Sequence, residues 1–137
     1  MNQNLTDNPL GFEIPRRFLE FTNANRASIQ TIRCTNASEG ICLTADDVVA
    51  NHLAAVESSL CTHEQPPRWL GKYVAIGSDG GNGFYFIKRS GSGGVWLMDS
   101  DWWGPPKLVA RTWKRFLQQM IARNPPTRNL QWWKFWV

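Results

Sequence analysis

No run of apolar residues in this chain approaches the roughly 20 that a membrane-crossing helix needs, so no membrane span is expected. The first residues, MNQNLTDNPLG, carry neither a basic stretch nor an apolar core, and no export leader is expected. Cysteine is scarce. Cys34, Cys42 and Cys61 contain no close pair, and without a leader they fit reduced thiols in a cytoplasmic protein. With His63 they lack the C-x₂-C spacing of a zinc site, and burial as small apolar side chains is the expectation. Histidine occurs only at 52 and 63, neither in a recognisable elbow or motif, which leaves a nucleophilic triad without a base.

What the chain has in quantity is tryptophan, eight among 137 residues, within a 42% hydrophobic composition far from that of a disordered protein. The length suits one domain, residues 1–137, burying roughly two-thirds of its unfolded surface. The net charge of +4 is unevenly spread. Residues 1–87 hold six Lys/Arg against nine Asp/Glu, whereas residues 88–137 hold nine Lys/Arg against Asp99 and Asp101 alone. A basic C-terminal half suits nucleic acid, an acidic protein surface or anionic lipid, although a solvated surface has the same composition.

The stretch Tyr73–Ile87 organises the rest. Apolar runs 73–76 and 84–87 flank the glycine-dense turn Gly77-Ser-Asp-Gly-Gly-Asn-Gly83, which reads as a β-hairpin. Ser78 and Asp79 can accept backbone N–H groups at the start of that turn. Val95–Met98 supplies a third strand, giving a meander at 73–77, 84–89 and 95–99, and Leu108–Ala110 is a short return strand. Ser28–Arg33 and Ile41–Leu43, rich in β-branched residues, read as a short N-terminal hairpin. Helices are expected near 15–22, 45–59 and 112–123. Pro15 suits the start of the first, with Phe18, Leu19 and Phe21 inward. Thr44 with Asp47 forms a capping box for the second, although Glu or Gln is usual at the second position. Beside its apolar stripe, His52 reads as a packed or hydrogen-bonded residue. Thr112 caps the third, where Trp113, Phe116, Leu117, Met120 and Ile121 repeat at helical spacing. The fold class is thus α+β, a central antiparallel sheet flanked by helices, with residues 124–137 as a Trp-rich tail.

Catalysis finds no support. The 77–83 turn looks like a phosphate cradle but lacks the Lys-Ser/Thr of a P-loop and leads into a strand. Asp79, Asp99 and Asp101 have no calcium-loop spacing and read as turn formers. Nothing selects a glycosidase-type carboxylate pair. No catalytic residue, metal ligand or cofactor is assigned. Nucleic acid is the alternative partner, since Trp132, Trp133, Phe135 and Trp136 beside Arg123, Arg128 and Lys134 combine stacking rings with cations. The same rings can pack on the sheet or join two copies of the chain through the tail.

The ordered set of motifs over about residues 10–121 resembles the SUKH superfamily, which includes bacterial immunity proteins and a fungal cell-wall-assembly regulator. Gly11 through Ile14-Pro15, with Phe18, Leu19 and Phe21, is similar to that family's "G-x-x-L-P" entry into a helix. Leu43-Thr44 with Asp47 resembles its second helix start, and Ile76–Phe86 its glycine-rich strand-turn-strand. Val95 and Trp96 fit its next strand, and Ala110–Leu117 its closing "A-x-S-F-x-x-F-L" helix. The chain departs from the pattern in having little helix before Pro15 and in Lys114 and Arg115, where acidic residues are frequent. The resemblance implies an antiparallel sheet flanked by helices, no enzymatic activity, and direct neutralisation of a bacterial toxin. Many such toxins are nucleases with basic clefts, which the basic half of this chain suits poorly. On this reading the contact surface comprises exposed parts of the sheet, the 78–83 turn and the loop from Asp99 to Trp103. Its candidate residues are Asp79, Asn82, Asp99, Asp101, Trp102 and Trp103.

Overall fold

In the computed structural model, which describes residues 9–35, 39–81, 83–98 and 103–123, Pro15 stands at the mouth of the first helix. That helix, α1, spans Arg16–Ala24, and the Phe18 and Leu19 N–H groups donate to the Pro15 carbonyl at 3.0 and 3.3 Å. Phe18 is buried and Leu19 and Phe21 are half-buried. Thr22 is buried too, its hydroxyl 3.0 Å from the Leu19 and Leu43 carbonyls, so the polar group is satisfied without water.

The N-terminal hairpin is not formed. Residues 28–33 belong to a second helix, α2, spanning Arg26–Thr35. In a strand, Ile29 and Ile32 would point to opposite faces. The three-residue spacing places both on one face of a helix, and both are fully buried there. Core burial on that face outweighs the mild strand preference of β-branched residues. The strand β1 (Glu39–Ile41) therefore pairs elsewhere, with β2 (Tyr73–Asp79), in the register Gly40↔Ser78 and Ile41↔Gly77. Gly77 is thus a strand residue, and a Cβ there would collide with the Gly40 carbonyl.

The third helix, α3, spans Ala45–Ser59 with the expected capping box at Thr44 and Asp47. A 3-10 helix, Arg68–Lys72, leads into β2. The meander continues through β3 (Phe84–Lys88), β4 (Val95–Leu97) and β5 (Lys107–Ala110), and α4 (Trp113–Arg123) closes the described chain. All five strands are antiparallel to their neighbours, in the order β1-β2-β3-β4-β5. The Thr112 hydroxyl accepts the Arg115 N–H at 3.0 Å and starts α4 as expected.

Alternation along β3 divides the interior. Tyr85 and Ile87 face α1, α2 and α4, in a core with Phe18, Ile29, Ile32, Phe116 and Met120. The Tyr85 and Phe116 rings lie 4.7 Å apart. Phe84 and Phe86 point the other way, into a second cluster with Ala55 of α3, Leu70, Met98 and Trp103. Because β1 ends at Ile41, the edge of β2 beyond Ile76 has no strand beside it. The Cys42 N–H donates to the Ile76 carbonyl at 2.7 Å, and His52 of α3 accepts the Ala75 N–H on its Nδ1 at 3.0 Å. The helix thereby covers a strand edge whose backbone groups would otherwise be unpaired.

Candidate functional site

The glycine turn is organised by its own aspartate. The Gly81 and Gly83 N–H groups donate to Asp79 Oδ1 at 2.8 and 3.0 Å, and the Asp79 N–H donates to the Gly83 carbonyl at 3.1 Å. Gly80, at φ +89°, makes the reversal that a side chain would resist. A Cβ on Gly83 would strike the Asp79 carboxylate. Asp79 is half-buried, and its Oδ1 is occupied inside the turn.

Trp103, expected as a contact residue, is only 3% exposed and belongs to the second core. Its backbone adopts φ +63°, a left-handed conformation uncommon for a bulky residue. That conformation accompanies a ring packed against Phe84 at 5.8 Å and Phe86 at 6.2 Å and stacked on Trp69 at 6.0 Å. Trp103 is therefore part of the packing and unavailable to a partner. Asn82, Asp99, Asp101, Trp102 and the tail 124–137 lie outside the described residues.

What the described part of the sheet displays is an aromatic surface on the side away from α4. Trp69 meets Tyr73 at 5.8 Å and Phe86 at 5.3 Å, and Tyr73 meets Trp96 at 5.4 Å, mostly edge to face, the arrangement that ring quadrupoles favour. Trp96 pairs with Phe86 across the strands, and Lys88 Nζ sits 5.1 Å above its ring. Trp69, Tyr73, Phe84 and Trp96 all stay half-buried, and Leu108, opposite Trp96 on β5, is 51% exposed. Arg68 and Lys72 of the 3-10 helix are exposed beside them. Sequence reasoning passed over Trp69, Tyr73 and Trp96. The available signal was β3 itself, apolar at every position from Phe84 to Ile87, which requires both faces of the sheet to be covered.

The cations of α4 do not join this surface. Phe116 of α4 packs on Tyr85, whereas Trp69 packs on Phe86, the next residue along β3 and on the opposite face. Lys114 and Arg115, both exposed, thus stand across the sheet from the rings.

Burial moves two titratable groups far from their ordinary behaviour. Burial, aided by the Arg89 charge, pushes the His52 imidazole down to about 4, so it is neutral, with its Nδ1 occupied by Ala75. Burial, with the Asp47 charge, pushes the Cys42 thiol up to about 12, far from a reactive thiolate. Cys34 and Cys61 are exposed, against the expectation that all three thiols are buried. Among the described residues, no three His, Cys, Asp or Glu side chains cluster as a metal site would require, and no helix is long and apolar enough to cross a membrane. No family model, no curated protein and no solved structure matches the chain.

Proposed function

We propose that this protein is a non-enzymatic protein-binding module of SUKH type, acting in the cytoplasm as an immunity protein that neutralises a cognate bacterial toxin by direct binding. The observation that carries the binding reading is the aromatic sheet face. Four half-buried rings and an exposed leucine lie together, with Lys88 among them and Arg68 and Lys72 alongside. Aromatic anchors of this kind dominate protein interfaces, and a basic rim selects a partner surface that is apolar at its centre and acidic around it. The partner-binding residues are then Trp69, Tyr73, Phe84, Lys88, Trp96 and Leu108. Asp79 contributes by holding the turn at the end of the same hairpin.

The test is co-expression with the toxin-like product of a neighbouring gene, followed by calorimetry on the purified pair. Leu108→Glu and Lys88→Glu, both at accessible positions, are expected to weaken binding by about tenfold or more each and to remove protection while the fold persists. Unchanged affinity in both variants would remove the sheet face from the interface. An absent toxin-like neighbour in every genome carrying the chain would remove the immunity role. A nucleic-acid partner is the second reading, favoured by the Lys88 ammonium over Trp96. It requires single-strand binding that falls steeply with salt, and no binding at about 50 mM salt ends it.

A further inference from the structure

A pocket of about 440 Å³ opens between the middle of α3, the 3-10 helix and the residue that follows β3. That volume lies in the range of small-ligand sites. Its walls are apolar, formed chiefly by Leu10, Leu53, Val56 and Leu70. Two groups on it are built for hydrogen bonding.

Arg89 is the first. Its Nε donates to the Tyr73 carbonyl at 3.0 Å, its backbone N–H donates to the Lys72 carbonyl at 2.9 Å, and its guanidinium lies 3.6 Å from the centre of the Phe12 ring. These contacts fix the fork in place and, among the described residues, use only one of its side-chain nitrogens. Among the described residues the sole ion pair is Arg33–Asp47, so no carboxylate neutralises Arg89 there. His52 is the second. Its Nδ1 accepts the Ala75 N–H, so the neutral ring carries its proton on Nε2, as a donor on a ring that lines the pocket. Among the described residues this half-buried cation has given up hydration without gaining a counter-charge, and an anion seated against it restores what was lost. A planar carboxylate matches the guanidinium fork with two parallel bonds. Inorganic phosphate would leave the surrounding hydrocarbon walls unused.

We infer that this pocket binds the carboxylate of a small apolar acid, clamped by Arg89 with His52 Nε2–H as second donor, its hydrocarbon body lying against Leu10, Leu53, Val56 and Leu70. Arg68, at the rim, adds attraction for an approaching anion. The pocket borders the aromatic sheet face and shares Arg68 and the 3-10 helix with it, but the carboxylate clamp does not depend on that face.

Calorimetry with 4-phenylbutyrate, 4-phenylbutanol and inorganic phosphate tests the inference on the full chain. The acid is expected to bind about tenfold or more tightly than the alcohol, and phosphate more weakly than the acid. N-acetyl-Ala-Leu with a free or an amidated terminus tells whether the preferred carboxylate is a free acid or the end of a peptide chain, according to which free carboxylate binds more tightly. Arg89→Gln is expected to abolish the preference for the acid. Because Arg89 also anchors Tyr73 and Phe12, Leu53→Glu provides a second variant. Leu53 is 41% exposed, so the substitution leaves the fold intact while placing a competing carboxylate in the pocket, and acid binding is expected to be lost. Equal binding of acid and alcohol, undiminished acid binding by a folded Leu53→Glu, or no heat from any ligand at millimolar concentration overturns the assignment.

Discussion

The indole N–H of Trp69 donates to the carbonyl of Trp103 at 3.1 Å while the two rings stack 6.0 Å apart with 20° between their planes. One residue thus satisfies the backbone of the other and covers its side chain. The pairing accounts for how Trp103 can hold φ +63°. The strain is local, and the burial it secures is that of a whole indole.

A signature follows for substitutions at 103. Trp103→Ala is expected to lose about 3–5 kcal/mol, the usual loss for a large buried aromatic. Trp103→Gly is expected to be no less stable than Trp103→Ala, since glycine adopts the left-handed conformation without strain, a gain of about 1 kcal/mol. Urea denaturation of both variants measures the difference. A clearly less stable glycine variant would show that the backbone is not strained.

His52 makes stability depend on acid. Its folded pKa, about 4, lies below the ordinary 6.5, so the unfolded chain binds the proton more readily. Stability from this residue is complete above about pH 6.5 and is lost as the pH falls toward 4, by about 3 kcal/mol in all. Denaturation midpoints measured between pH 7 and 4 should fall over that window, and the slope should flatten in His52→Gln. An equally steep fall in the variant would assign the acid sensitivity elsewhere.

Asp47 joins three segments. Its Oδ2 accepts the Leu43 and Thr44 N–H groups at 3.1 and 3.3 Å and meets Arg33 of α2 at 3.2 Å. Partial burial works in the opposite direction, but the two backbone N–H groups and the Arg33 charge hold its carboxyl below the usual range. Its contribution is therefore present above the ordinary carboxylate pKa and fades as the pH drops through the lowered one. Asp47→Ala is expected to lose about 1–2 kcal/mol through the cap. Arg33→Gln should lose only a few tenths, because both ion-pair side chains are more than a third exposed. Thermal melts of the two variants separate the contributions.

Gly77→Ala is expected to detach β1. The collision partner is the Gly40 backbone carbonyl, which cannot rotate away as a side chain could. Hydrogen exchange should show lost protection at Cys42, whose N–H donates to the Ile76 carbonyl, with Val74 and Ile87 protected as before. Retained protection at Cys42 would mean that the two strands can separate slightly without unpairing.

Local rules made much of this architecture readable from sequence. The Thr44–Asp47 box, the spacing from Trp113 to Met120, and the aspartate-glycine turn each depend on residues within a few positions of one another. Residues 28–33 were misread because β-branched content was weighed above the three-residue spacing of Ile29 and Ile32. Trp103 was read as exposed because its position among aspartates and prolines says nothing about a left-handed backbone or a partner at position 69. The His52–Ala75 bond depends on where β1 stops, a tertiary fact that no local pattern encodes. The aromatic face likewise emerges only when Trp69, Tyr73 and Trp96 are brought onto Phe86.

Strand order in the sheet equals strand order in the chain, yet the intervals differ. β2 through β5 follow one another through short connections, so each pairing closes a small loop at little entropic cost. β1 reaches β2 only after α3 and the 3-10 helix, a loop of roughly 30 residues. Loop closure therefore costs least within the meander and most for the pairing of β1 with β2. The longest closure in the sheet thus lies beside α3, at the edge that His52 meets, and the aromatic face lies on strands joined by short connections.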